Sequence, residues 1–278
     1  MKVTFFKAGY CTHPEAMVIR DRPWKPIEFP SLVALISHPK IGLILYDTGY
    51  SNRFFQETRN FPFRLYALTT PVYFQEQDSA INQLQQEGIE AQGIQSIIIS
   101  HFHADHIGGL RDFPQANFIC FKSAYDAVKY RQGFKALKAG FLSGLLPSDF
   151  EHRAIFAEHQ SEVSLPPEYA PFTKGFDLFG DGSILAVELP GHATGQLGLF
   201  FVDETEQSYF LIADACWLSR AYQELVQPNP IANLIFANSK EYVDTLAQIH
   251  QLHKLNPAIK IIPTHCPQTW QELADSVN

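Results

Sequence analysis

The chain has 278 residues, enough for one large domain with a substantial core, and its 46% hydrophobic and 18% charged residues belong to a folded globular protein. Disorder is excluded as the default state. With 29 acidic against 21 basic residues the formal charge is −8, which disfavours nucleic acid or anionic lipid as a partner.

From the start, Lys7 interrupts the early apolar run before it reaches signal-peptide length, and no later stretch approaches the length of a membrane span. A cytoplasmic protein is expected. Cys11, Cys120, Cys216 and Cys266 are scattered without a CxxC pair and are expected as buried free thiols. Strands are predicted at 3–6, 32–37 and 43–46, the third ending in "YDTG". An aromatic segment follows at about 54–75, too irregular for a core strand and too apolar for a solvated loop, and reads as an insertion that covers something. Asp78 or Ser79 caps a helix running to about Glu87, with Gly88 just past its end, and a strand over 96–100 comes next. Residues 122–150 read as helical, in two pieces at 122–131 and 134–146, and 152–175 as a loop with three prolines. Strands resume at 184–189, 197–202 and 209–212; a helix over 239–254 leads to a last strand at 260–262. Strands and helices thus occur twice in the same broad order, which predicts two β-rich halves with helices outside, in one domain spanning 1–278.

The chemistry is concentrated in "IISHFHADHIGG", residues 98–109, at the carboxyl end of a predicted strand. Side chains two apart in extended chain share a side, so His101, His103 and Asp105 can point together. His106 has the opposite parity, and a bend at 104–106 followed by Gly108 and Gly109 brings it to a neighbouring position. Imidazole and carboxylate suit zinc, and a catalytic zinc site keeps a position for water, yet two histidines do not complete one. Three further donors stand just after later strands: His192 in "LPGHATGQ", Asp214 in "LIADAC" and His265 in "IIPTHC". Seven donors in this order make a metal site the expectation. The other histidines, His13, His38, His152, His159, His250 and His253, are expected as surface or satisfied core residues.

"HFHADH" resembles the HxHxDH signature of the metallo-β-lactamase superfamily, and "PGHATGQ", "ADA" and "PTHC" fall where that superfamily places its remaining ligands. The resemblance implies an α/β (α+β) fold, the four-layer αβ/βα sandwich. It implies two divalent metal ions, His101, His103 and His192 on the first, Asp105, His106 and His265 on the second, and Asp214 bridging. By the same resemblance Asp47, in "LILYDTG", orients ligands instead of binding metal.

Two zinc ions can share a hydroxide and polarise a carbonyl, so hydrolysis of an ester-like bond is the expected reaction. Members that reduce oxygen with two irons typically carry a carboxylate at the position of His103, which favours zinc, although such ligands also accept iron, manganese or cobalt. Asp105, held ionised as a ligand, is expected to orient the water. Within the superfamily the sequence is most similar in style to the N-acyl homoserine lactonases. It departs from them at Trp217, where they commonly carry a tyrosine whose hydroxyl assists the substrate; Trp217 is a candidate substrate contact that can donate one hydrogen bond but cannot serve as an acid. Phe61, Phe63, Tyr66 and Tyr73 are candidates for the wall of an apolar pocket for a small-molecule acyl substrate. A glyoxalase II-like thioesterase and a non-catalytic, ligand-binding member of the fold are the alternatives.

Overall fold

The computed structural model describes residues 1–275. Thirteen strands form two mixed sheets. The first sheet has seven strands in the order β4-β1-β2-β3-β5-β6-β7. Its members are β1 (Lys2–Pro14), β2 (Pro26–His38), β3 (Gly42–Tyr46), β4 (Val72–Tyr73), β5 (Ile94–Ile98), β6 (Asn117–Cys120) and β7 (Ala154–Phe156). The second has six in the order β13-β12-β11-β10-β9-β8: β8 (Ser161–Ser164), β9 (Lys174–Asp177), β10 (Ile184–Glu188), β11 (Leu197–Val202), β12 (Ser208–Ala213) and β13 (Lys260–Pro263). Hairpin neighbours such as β1 and β2 pair antiparallel, whereas β3, β5, β6 and β7 run parallel, as do β12 and β13.

Helices complete the four layers. In the first half they are α1 (Glu15–Val18), α2 (Asn52–Glu57), α3 (Arg64–Thr69), α4 (Ala80–Gln86), α5 (Ala104–Ile107), α6 (Lys122–Val128), α7 (Gly133–Lys138) and α8 (Phe150–Arg153). The second half carries α9 (Ser219–Glu224), α10 (Ser239–Leu255) and α11 (Pro267–Asp275). The longest, α10, starts where the Asn238 side chain accepts from the Lys240 and Glu241 N–H groups, and it buries Tyr242, Thr245, Leu246, Ile249 and Leu252 at helical spacing. Burying each large apolar member of such a face contributes about 1.5–3 kcal/mol.

The sheets meet through one hydrophobic core that includes Ile44, Ile97, Leu199 and Phe210. Backbone and side-chain bonds join them where β5 ends: the Tyr46 hydroxyl donates to Leu197 O at 2.7 Å, and Leu197 N donates to Ser100 O at 2.8 Å. The carboxyl ends of β5, β10, β12 and β13 therefore come together at one edge of the sandwich.

Several predicted elements change in extent. The helix expected over 134–146 stops at Lys138, because Gly140 turns the chain at φ +60°, and only a short 3-10 turn at Ser143–Leu145 remains. The 54–75 insertion folds as α2, α3 and β4. The expected loop at 152–175 contains the last two residues of α8, β7, β8 and the start of β9, and α9 and α11 are further helices that the sequence reading did not place.

Gly108 is fixed by close approach: a Cβ there would sit 2.5 Å from Gly49 O, in the turn that packs the histidine loop under the end of β3. Gly108→Ala should lower the unfolding free energy by about 1–3 kcal/mol, read as a lower urea midpoint at unchanged slope.

Candidate metal centre

The loop after β5 places His101 in extended chain, and His103 precedes the single turn of α5. That turn changes the parity expected for an extended chain. Asp105 and His106 lie on a helical turn, so Asp105 groups with His106 and His265 instead of with His101 and His103. The other group is His101, His103, His192 and Asp214, and within each group the potential ligand atoms lie within 4.8 Å of one another. Asp214 joins the two. Its Oδ1 is 3.2 Å from His106 Nε2 and 3.1 Å from His265 Nε2, and its Oδ2 is 3.3 Å from His192 Nε2. Asp105 Oδ2 lies 3.3 Å from His265 Nε2, and His103 Nδ1 lies 3.0 Å from His192 Nε2.

Surrounding acceptors decide which ring nitrogens carry protons. Asp47 can only accept, so His106 donates through Nδ1 to its Oδ2 at 2.7 Å, and the neutral ring is left with its lone pair on Nε2. His265 likewise donates through Nδ1 to Pro30 O at 2.7 Å. The Ser100 hydroxyl donates to Asp47 Oδ2 at 2.7 Å, so it accepts from His101 Nδ1 at 3.0 Å and again frees Nε2. Asp47 also accepts from Ser100 N at 2.8 Å, and it does so at φ +60°, a backbone conformation that disfavours any side chain by about 1–2 kcal/mol.

His101 Nε2 and His192 Nδ1 are buried without a hydrogen-bond partner, and His106 Nε2 faces Asp214 Oδ1 at 3.2 Å. Each unpartnered atom disfavours folding by about 1–3 kcal/mol, a cost that divalent cations can remove. The donor set of imidazole and carboxylate fits such ions. Burial, reinforced by neighbouring imidazoles, holds His101 well below the ordinary histidine range, and burial likewise lowers His192 and His103, leaving neutral, ligand-competent rings. Burial also disfavours the charged forms of His106 and His265, but Asp47, Asp214 and Asp105 at His106, and Asp214 and Asp105 at His265, outweigh it and raise both. Asp214 is held well below the ordinary carboxylate range by His265, His106 and His192, against the opposing effect of burial.

The cluster opens into a cavity of about 420 Å³ lined mainly by apolar groups, among them Met17, Val18, Phe29, Leu65, Leu137 and Ile235. Of the four aromatic wall candidates the structure brings in Tyr66 alone. Tyr66 shares a face of α3 with Leu65 and Thr69, whereas Phe61 is 69% exposed and meets Phe134 edge-on, and Phe63 packs against the core. Tyr73 belongs to β4, 49% exposed and stacked on Tyr10 across the β1 pairing. Trp217 lines the cavity, yet its Nε1 donates to Asp214 Oδ2 at 2.9 Å, so its polar group is engaged by the cluster and its ring alone is offered to a ligand. His13, expected as a surface or core residue, also lines the cavity. Alternation along β1 carried that signal, since His13 and Cys11 are two apart and both face in. Lys138 lines it too and was not foreseen.

Residues 27–207 match the family described as the metallo-beta-lactamase superfamily, and the chain belongs to it. The N-acyl homoserine lactonase AttM of Azorhizobium caulinodans is 24% identical over 245 residues, which cover 87% of this chain and 84% of the relative. In fold the chain is lactonase-like. A solved N-acyl homoserine lactone hydrolase with the product N-hexanoyl-L-homoserine at its catalytic metal centre superposes with a TM-score of 0.70 at 20% identity, over 98% of this chain and 95% of the other. AidC, a dizinc quorum-quenching lactonase, gives a TM-score of 0.64 at 16% identity, over 96% and 90% of the two chains. No helix among the described residues is long and apolar enough to cross a membrane.

Two outcomes follow from this geometry. Asp47→Asn exchanges an acceptor for an amide that need not accept from His106, and should weaken metal affinity about 10–100-fold in competition with a chelator. Because the carboxylates keep His106 and His265 protonated to higher pH than an ordinary histidine, a metal ion must displace those protons. Metal uptake should therefore release protons, more at pH 6 than at pH 9, and affinity should rise with pH over that window, as titration calorimetry in buffers of different ionisation enthalpy would report.

Proposed function

We propose that the protein is a dinuclear, zinc-dependent hydrolase that opens a lactone or cleaves a related carboxylic ester. The observation that carries this reading is the convergence of seven histidine and aspartate donors, some of them orphaned, on the floor of an apolar cavity. We assign His101, His103 and His192 to one ion, Asp105, His106 and His265 to the other, and Asp214 to both. Divalent ions held there would supply Lewis acidity, polarising a substrate carbonyl and lowering the pKa of water to about 7.

The chain's own residues then have distinct tasks. Asp47 and Ser100 keep His106 and His101 turned so that their Nε2 atoms face the cluster. Asp105, with one oxygen toward His265, orients the attacking water on the carbonyl carbon. Trp217 holds Asp214 Oδ2 through its N–H and covers His192 with its ring, their centroids 5.5 Å apart. Tyr66 lines the cavity, and its hydroxyl is one donor that can serve the departing oxygen as the C–O bond breaks. Met17, Val18, Phe29 and Leu65 exclude water and accept an acyl chain.

Ligands come from both sheets, which supports treating residues 1–278 as one functional domain. Cys11, Cys120, Cys216 and Cys266 are free and buried, which suits a reducing compartment, and the cytoplasm is the proposed setting. The relatives named above act on N-acyl homoserine lactones, and those are the first substrates to try.

Protein purified without chelators should contain two metal ions per chain, zinc by elemental analysis. It should hydrolyse N-acyl homoserine lactones or simple esters faster than thioesters, lose more than about a hundredfold of that rate on chelation, and regain it when zinc is restored. Fully loaded protein that turns over no lactone or ester in a broad panel would sink the assignment.

A further inference from the structure

A second cavity of about 230 Å³ adjoins the first and shares His103, Lys138, His192 and Ile235 with it. The two differ in charge. The first contains Asp105 and Asp214; among the described residues the second has Arg131 and Lys138 and no carboxylate in its lining. Such a chamber runs against the composition of a chain with 29 acidic and 21 basic residues.

Both cations are available to a ligand. Lys138 makes no ion pair or side-chain hydrogen bond among the described residues, and Arg131 donates its Nε to Ala127 O at 2.6 Å, leaving its terminal nitrogens unengaged. The Lys138 backbone is anchored beside the cluster. Lys138 ends α7, and two residues on, Gly140 accepts from Ala104 N at 3.2 Å and packs so closely on His103 that a Cβ there would sit 2.5 Å from the imidazole. The chain's net charge of −8 repels an anionic ligand at long range, and a carboxylate-free basic pocket next to His103 is the local counterweight that would admit one. A neutral lactone ring needs neither cation.

We infer that the protein favours acyl substrates whose other half carries a carboxylate or phosphate, with Lys138 and Arg131 as the specificity-determining residues that hold that anion. The acyl chain then lies in the larger apolar cavity, the bond to be broken sits beside His103 and His192, and the anionic group rests in the smaller chamber. This rests on the hydrolase reading of the cluster and adds the substrate class to it.

Binding of amide-linked probes tests it without turnover. Calorimetry on zinc-reconstituted full-length protein would compare N-octanoylglycine with N-octanoylglycinamide, and N-octanoyl-phosphoethanolamine with N-octanoylethanolamine. The anionic member of at least one pair should bind about tenfold more tightly, the order expected for a charge-assisted contact, and the pair that shows it identifies the group. In the Lys138→Gln/Arg131→Gln variant, with metal content unchanged, that preference should fall to within about twofold, and Lys138→Arg/Arg131→Lys should restore it. No preference in either pair overturns the inference. So does a preference that survives in the glutamine variant, since the metals and not the chamber would then be holding the anion. Absence of hydrolysis would count against the hydrolase assignment alone, because these readouts need none.

Discussion

One buried carboxylate organises the site. Asp47 accepts from the backbone and hydroxyl of Ser100 and from His106 Nδ1, all within 2.8 Å, and so ties the end of β3 to the loop after β5. A buried charge is tolerated only when it is fully hydrogen-bonded, and three donors meet that condition here. Its left-handed backbone is the strain that this network holds in place. Through Ser100 the same carboxylate reaches His101, so two ring orientations in two ligand groups depend on one side chain. Further bonds clamp the loop from outside, with Thr48 N donating to His106 O and the Ser31 hydroxyl to Asp105 O.

The second constraint is charge. Burial alone would drive every histidine of the cluster neutral and every aspartate protonated. The groups instead divide by neighbour: His101 and His192, beside other imidazoles, go neutral, while His106 and His265 share charge with Asp214. A site with this division meets a cation with its ligands half prepared. Trp217 contributes on the same line, since its N–H is one of the few neutral donors that reaches Asp214.

Much of this was legible in the sequence, for physical reasons. Aliphatic runs punctuated by glycine or proline marked the central strands, and donors just beyond four of them marked the catalytic edge, because strand ends are where chain leaves the core and side chains are free to converge. What escaped had a weak local signal. β8 and β9 lie in a proline-rich stretch and pair at the far side of the second sheet from β13, where periodicity is short. The cavity wall was legible only in part: aromatic content pointed to Phe61, Phe63, Tyr66 and Tyr73, but which segment of the insertion faces the cavity, and with which side of its helix, is set by packing against the sandwich, and that is a tertiary choice. Leu65, Tyr66 and Thr69 won it. Lys138 reaches the site from an element remote in sequence, and His13 from β1, where alternation put it on the same side as Cys11.

The exchange of tyrosine for Trp217 changes meaning once its partner is known. In the sequence it looked like the loss of a hydroxyl next to the substrate. In the fold the indole N–H points at Asp214 and its ring packs against both His192 and Phe236, with Phe236 stacked in turn on the buried Tyr242. A residue held by a carboxylate at its N–H and packed against neighbouring aromatic rings is fixed in place, so any hydroxyl assistance must come from elsewhere in the wall. Tyr66 lines the same cavity from a helix belonging to the aromatic insertion. On the proposed reading, the polar donor stands on a short helix of the insertion and not at the end of a central strand. The proposed division of labour follows: the strand ends and Asp47 arrange the donor cluster, while the insertion and the chain around α7 line the cavities above it.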